Sequence, residues 1–569
     1  MVIKKLFRWM ILLLICAALG YFAYSLTQRE VPNDEHVGIE YYGKTKPIFY
    51  NGEIFADSAI GEKDGLKLPF EFVRTYIDST ITYDNSSKSV IVTTEDKVVR
   101  LRTNGQKSTI NQQPINLQFP IESQDDVVYI PIDPLLDLYD LEIRENEQTG
   151  IVTLVKAGNP IQYGLVTKQK KDKPVPMRTG ASIREPILSD LAADTSLMIW
   201  NETDEWYHVQ LENGLVGYVQ KQQVHLDRNE TVPHRKEPVK PYIPWKPTGG
   251  KINLTWEHVT GKNPNTDEIG PMPGLNVISP TWFHLADAEG NLKNNADAAY
   301  VKWAHGRDLQ VWGLVDNSFD PKLTSQALST YDRRMTTIKQ LLSFAKLYKL
   351  EGINLDYENV STKDKQNFIQ FVREFTPLAH EQDLVVSIDV TPKSESEGWS
   401  LFLDRRVLAE TVDYMILMGY DEHWGSSPKA GSVASLPWVE NALTRILEED
   451  DVPPSKFILA VPTFTREWTE EQVEGKTKVT SKAIFMSRQE RTIREKKLTP
   501  TFLEEVGQNY VEYKEGTAVK KIWMEDAVSM KSRVELVKKY NLAGIASWRR
   551  GFEEPEIWDV IQENLTKRP

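Results

Sequence analysis

Cysteine is almost missing from this 569-residue chain: Cys16 is the only one, and it lies in an apolar stretch near the N-terminus. No disulfide can form within the chain, so its stability must come from buried cores rather than covalent staples. Leu14-Ile15 before Cys16 lacks the small residues of a lipidation signal, and the thiol reads as an apolar group. Net positive charge is also lacking. The chain has 81 acidic residues against 68 basic ones, a formal charge of -13, which argues against a polyanionic partner and excludes nucleic acid. Histidine is scarce, with nine in all, and no pair has the His-x-His or His-x-x-x-His spacing of metal ligands, so no metal or other cofactor is expected.

Long hydrophobic runs are missing too, with one exception. Lys4, Lys5 and Arg8 precede an uncharged stretch from Trp9 to Leu26, and Glu30, Asp34 and Glu35 follow it. A run of that length suits a bilayer, and the basic flank belongs on the cytoplasmic side. Phe22-Ala23-Tyr24-Ser25 makes a poor cleavage site. The expectation is therefore residues 1–35 as a single-pass membrane anchor with the rest outside the cell, or a secreted chain if the segment is removed.

Hydrophobic residues at 40% and charged residues at 26% fit globular domains, and the length calls for several of them. Residues 36–157 contain an internal repeat. Leu68-Pro69-Phe70, Ile81-Thr82-Tyr83-Asp84 and Val90-Ile91-Val92 recur as Ile130-Pro131-Ile132, Leu141-Glu142-Ile143-Arg144 and Ile151-Val152-Thr153-Leu154. Each copy predicts a strand, a short helix and a hairpin. The arrangement resembles the copper amine oxidase N-terminal-like domain, although His36 is its one histidine and no copper site is implied. Residues 161–226 alternate in short strands around Trp206 and Tyr218 and resemble a bacterial SH3 module, in which those aromatics serve either as core or as a ligand surface. Residues 227–250, with Pro233, Pro238, Pro241, Pro244 and Pro247, read as a stiff linker.

From 251 to 569, eight apolar segments alternate with helical stretches: Ile252 to Val259, Asn276 to Phe283, Leu309 to Val315, Gly352 to Glu358, Leu384 to Val390, Tyr414 to Tyr420, Phe457 to Phe464, and Ala543 to Trp548. That is the pattern of an α/β (β/α)8 barrel, and the long gap before the eighth segment predicts a small α+β insertion. In the fourth segment, Asn354, Asp356 and Glu358 share one face of a strand, so two carboxylates point into the barrel with Glu358 at its mouth. Like charges this close push one pKa upward, which suits a proton donor.

Gly352-Ile353-Asn354-Leu355-Asp356-Tyr357-Glu358 resembles the signature of glycoside hydrolase family 18, and Met418-Gly419-Tyr420-Asp421, Ala460-Val461-Pro462 and Gly544-Ile545-Ala546-Ser547-Trp548 follow in that family's order. The resemblance implies a monomeric hydrolase of β-1,4-linked N-acetylglucosamine polymers, peptidoglycan or chitin-like, in which the sugar's own acetamido oxygen is the nucleophile. It implies Glu358 as acid, Asp356 as stabiliser of the acetamido group and Tyr420 as its hydroxyl partner. Asn354, Met418, Asp421, Trp548 and Trp282 are then expected to line the sugar site. Asn354 stands where the family carries an aspartate, so Asp356 is expected to ionise more easily. The alternative is a weak or inactive glycan-binding protein, and retention of Glu358 argues against it. Because this chemistry has no place for a metal, glycan cleavage is expected to survive EDTA; loss with chelator and recovery with a divalent ion would contradict it.

Overall fold

The computed structural model describes residues 15–20, 31–38, 41, 43–103, 107–235, 240–248 and 250–566. They form two compact units: residues 1–82, 101–108 and 114–239 in one, and 83–100, 109–113 and 240–569 in the other.

The strand-helix-hairpin reading of the repeat holds in both copies, the first copy's hairpin being Thr82–Asp84 beside Ser89–Thr93. Strands Lys67–Pro69 and Val127–Pro131 pair antiparallel with Leu68 opposite Ile130, so the two copies meet through their equivalent strands. Each runs straight into a helix, Phe70–Tyr76 and Ile132–Tyr139. The residue before each helix is a proline, Pro69 or Pro131, with φ near -60°, a value the ring presets. The second copy's hairpin, Leu141–Glu145 with Val152–Lys156, is in place. The corresponding segment of the first copy, Tyr83–Arg100, clusters with the second unit. There Ile91 and Val98 join the buried core, and Arg100 grips Asp332 with two bonds of 2.7 and 3.0 Å.

Residues 160–231 form a seven-stranded antiparallel sheet. Trp206 is 5% exposed and belongs to the core, whereas Tyr218 is half-buried and stacks on His208 at 4.6 Å. Strand Val224–Thr231 continues into the expected linker.

In the second unit all eight expected barrel strands are present: β1 (Ile252–Glu257), β2 (Val277–Leu285), β3 (Gln310–Asp316), β4 (Gly352–Asp356), β5 (Val385–Val390), β6 (Tyr414–Met418), β7 (Phe457–Pro462) and β8 (Gly544–Trp548). Every neighbouring pair is parallel, and β8 closes on β1. Side chains alternate between two cores. Leu254, Trp256, Trp312, Leu314, Val385, Tyr414, Ile416, Ile458, Ala460 and Ala546 fill the interior, while the opposite faces pack on the helices. Glycine is required in the turn after β6. A Cβ on Gly419 would lie 2.7 Å from the Ala460 carbonyl oxygen, which accepts the Gly419 N–H at 3.0 Å.

The insertion between β7 and β8 is a five-stranded antiparallel sheet with helix Met486–Lys496, in agreement with the sequence. The second half of the expected linker is not a free spacer. Trp245 packs edge-on against Trp312 at 6.4 Å and accepts the Tyr414 hydroxyl at 2.8 Å, and Tyr242 stacks on His380 at 3.8 Å.

The expected membrane anchor is corrected. Most of Trp9 to Leu26 lies outside the described residues; its described part, residues 15–20, is helical. Among the described residues no helix is long and apolar enough to cross a membrane, so a single-pass anchor is not supported.

The insertion is locked to the barrel by a buried ion pair. Arg533 and Glu525, 1% and 0% exposed, bond to each other through both guanidinium nitrogens. Gln508 and Ser529 donate to the same carboxylate at 2.9 and 2.8 Å. Arg533→Met leaves that charge buried without its counter-ion, a change expected to cost about 3–5 kcal/mol in urea unfolding, with Glu525→Leu in addition restoring much of it. An unchanged unfolding midpoint in the single variant would show the pair to be dispensable.

Candidate active site

The interior faces of the strands are apolar at the lower end and polar at the C-terminal mouth. On β3 the inward row runs Trp312, Leu314, Asp316; on β4, Asn354, Asp356 and then Glu358; on β5, Val385, Ser387, Asp389; on β6, Tyr414, Ile416, Met418 and then Tyr420. Four carboxylates thus share one small region, with Asp316 directly opposite Asp356 in the parallel register. Tyr357, one residue out of step, points the other way and packs on Phe368 and Phe371 at 5.3 and 5.4 Å.

Beneath the carboxylates lies Asn354, fully buried with its amide saturated. Its oxygen accepts from Trp256 Nε1 at 2.8 Å and Ser279 Oγ at 3.3 Å, and its nitrogen donates to Ser387 Oγ at 3.1 Å and Asp389 Oδ1 at 2.9 Å. The expectation that Asn354 touches substrate is corrected: it has neither surface nor a spare hydrogen-bonding group.

The easier ionisation expected of Asp356 from the amide at position 354 is offset by its surroundings. Burial, then Glu358, Asp389 and Asp316, push its carboxyl well above the usual range. The anion that Asn354 removes from β4 is resupplied from β5 by Asp389, which burial also holds far above its ordinary value. Asp356 Oδ1 is buried without a hydrogen-bond partner, an orphan of the kind that marks a functional site.

Glu358 stands just past the end of β4 and is partly exposed. Its backbone is held on both sides by the fully buried Asn317, which accepts the Glu358 N–H at 3.1 Å and donates to the Glu358 carbonyl at 2.7 Å. Asn317 in turn donates to Thr324 Oγ1 at 2.9 Å. Burial, then the charges of Asp421 and Asp316, raise the Glu358 carboxyl to about 7. A group poised there both gives and takes a proton near neutrality. Tyr420 is held neutral, burial and the surrounding carboxylates pushing its hydroxyl well above the usual range. It therefore remains a hydrogen-bond donor.

Met418 lies at the inward end of β6 and is partly exposed. Asp421 follows in a left-handed conformation, φ 63°, with its side chain 48% exposed and 3.7 Å from Arg466 of the insertion. Trp548 ends β8 and leans on Trp256 at 5.7 Å. Trp282 is corrected: it is wholly buried on the outer face of the sheet, packed on Tyr300 at 5.8 Å with its N–H donated to Asn263 at 2.7 Å, and offers a sugar no surface. A register shift in β2 between Thr281 and Phe283 returns the next residue, His284, to the mouth, where Nδ1 meets Asp316 Oδ2 at 2.6 Å.

Sequence reasoning missed Asp389, Asp316, His284 and Asn317. For the two aspartates a signal existed: each ends the inward-facing row of its strand, as Asp356 does on β4.

Comparisons with known proteins agree with the barrel fold. Residues 311–553 match glycosyl hydrolases family 18, and residues 49–154 match the copper amine oxidase N-terminal domain. The chain is 25% identical over 303 residues to the uncharacterized glycosylase YvbX of Bacillus subtilis (strain 168), covering 51% of this chain and 84% of that one. It is likewise 25% identical over 273 residues to the cortical fragment-lytic enzyme of the same organism, covering 45% of this chain and 60% of the relative. Among solved structures, the C-terminal domain of a protein assigned as a chitinase from Desulfitobacterium hafniense DCB-2 shares the fold, with TM-score 0.50 at 21% identity, covering 56% of this chain and 100% of that one. Residues 311–553 of this chain thus carry a glycoside hydrolase family 18 domain, set on the (β/α)8 barrel.

Proposed function

We propose that this domain hydrolyses β-1,4 bonds beside N-acetylglucosamine in a cell-wall polymer, with the substrate's acetamido group as nucleophile. The observation that carries the reading is the orphaned Asp356 oxygen beside a carboxyl, Glu358, raised to about 7. In this scheme Glu358 protonates the glycosidic oxygen as the acetamido oxygen attacks the anomeric carbon. Asp356 takes the acetamido N–H as positive charge develops on the ring, and Tyr420 donates to the acetamido oxygen. Water, deprotonated by Glu358, then opens the cyclic intermediate, and two inversions retain the β configuration. Met418, Asp421 and Trp548 border the sugar. Retention of Glu358, Asp356 and Tyr420 together supports catalysis over a purely sugar-binding role.

The cortical fragment-lytic relatives, which come from Bacillus subtilis, Bacillus anthracis and Bacillus cereus, favour a bacterial wall polymer. The antiparallel sheet of residues 160–231 with its core Trp206 supports the SH3-like reading of that segment, as a wall-holding module.

Four measurements test the chemistry. Glu358→Gln cannot donate the proton and should lower the rate roughly 10²- to 10⁴-fold, while de-N-acetylated polymer should be cut very poorly by the unaltered enzyme. Undiminished cleavage of that polymer would show that the acetamido group is not the nucleophile. The pH profile follows from the acid's charge state. Glu358 acts protonated and its carboxyl is raised to about 7, so the rate is full below that pH and falls as pH rises through it. Asp421→Asn removes the foremost charge raising Glu358, so the alkaline limb should move to lower pH; a limb that stays in place would remove Asp421 from this role.

A further inference from the structure

The mouth of the barrel is electrically divided. Asp316, Asp356, Glu358, Asp389 and Asp421 all lie on the arc from β3 to β6. The arc from β8 to β1 carries His258, directly after β1, and Arg549, directly after Trp548. The two exits are stitched together. Arg550 donates its backbone N–H to the Trp256 carbonyl at 3.0 Å, and its side chain grips Glu257. His258 and Arg549 are the residues flanking that cross-link.

Neither His258 nor Arg549 makes an ion pair among the described residues, although each carboxylate nearby is already engaged. Glu257 is held by Arg550 and by the Tyr300 hydroxyl at 3.0 Å. Glu553 accepts the Gly551 N–H at 2.6 Å. Asp316 is held by His284 and by the Ser318 N–H at 2.8 Å. The Arg549 guanidinium lies over the Phe552 ring at 3.9 Å, and His258 is exposed with its ring 6.1 Å from that of Trp548. Partial burial of the ring, and next the charge of Arg549, keep His258 below the ordinary imidazole range. Two groups able to carry positive charge thus stand together at the mouth of the barrel, mutually unfavourable until an anion joins them.

Building on the hydrolase reading above, we propose that Arg549 and His258 bind a carboxylate carried on the glycan beside Trp548, so that the substrate is an acid-bearing wall glycan rather than an uncharged chitin-like polymer. An uncharged polymer gains nothing from this pair. An acidic one would be repelled by the carboxylate arc and by a chain of net charge -13, and the pair supplies the local attraction that offsets this repulsion. Two sources of the acid are possible in wall glycan: the lactyl group on the sugar itself, or the peptide stem attached there.

The test compares three substrates of equal chain length with the full protein: chito-oligosaccharide, wall glycan strands stripped of peptide, and strands with peptide intact. KM for an acid-bearing strand should lie below that for chito-oligosaccharide and should rise on going from about 0.05 to about 0.5 M salt, while KM for the neutral substrate should not respond in this way. The strand preparation that shows the effect identifies the acid. Arg549→Met should lower the preference for that strand, read as the ratio of kcat/KM values, about tenfold, and Arg549→Lys should restore part of it. Cleavage with the same salt response on neutral and acidic substrates, or a preference unchanged in Arg549→Met, would overturn the carboxylate site and leave the hydrolase reading intact. Failure of the unaltered protein to cut any of the three would overturn the hydrolase reading. In that case equilibrium binding of the strands decides the site: tighter, salt-sensitive binding of the acidic strand supports it, and equal binding overturns it.

Discussion

One amide holds the catalytic end of the barrel together. The Asn354 side chain reaches β1 through Trp256, β2 through Ser279, and β5 through both Ser387 and Asp389. All four of these bonds are buried, where an unmade partner costs about 1–3 kcal/mol, so the amide has one way to face and the strands have one register relative to one another. Everything above it depends on that level: Asp356 stands two residues further along β4, Asp389 is tethered directly, and Glu358 takes its place from the next turn of chain.

The carboxylates then impose a constraint on each other. Asp356, Glu358 and Asp389 are pushed upward together, so the cluster holds protons that isolated carboxyls would have lost. Burial alone would raise each of them; their proximity makes the charge on any one depend on the others. Asp421 and Asp316 extend this coupling outward, and Arg466 and His284 limit it by pairing with them. The same crowding that favours proton transfer opposes folding, since it places like charges where water cannot screen them. Rigid support from Asn317 and Asn354 is what allows the arrangement to persist.

Much of this was legible in the sequence. The eight strands, the inward face of β4, the insertion and the repeated strand-helix unit follow from periodicity, because alternation and helix spacing are local properties. The parts that escaped are non-local. Asp389 belongs to the site only because β5 lies beside β4, and His284 reaches it because β2 shifts register at a point that no residue pattern marks. Residues 240–248 look like a linker by composition, and their packing depends on a partner surface made by strands far along the chain. An apolar run at Trp9 to Leu26 satisfies the length rule for a membrane span, yet no described helix has that extent.

That proline-rich strap also bears on how separable the barrel is. Trp245 covers the inner core beside Trp312 and Tyr414, and Tyr242 covers His380, which itself pairs with Asp413 at 3.0 Å. A recombination joint or protease cut placed where the composition changes, at Gly249-Gly250, would strip an aromatic lid from the floor of the barrel and leave apolar rings facing water. The heritable module therefore begins upstream of its first strand, and the prolines that resemble a spacer form its first structural layer.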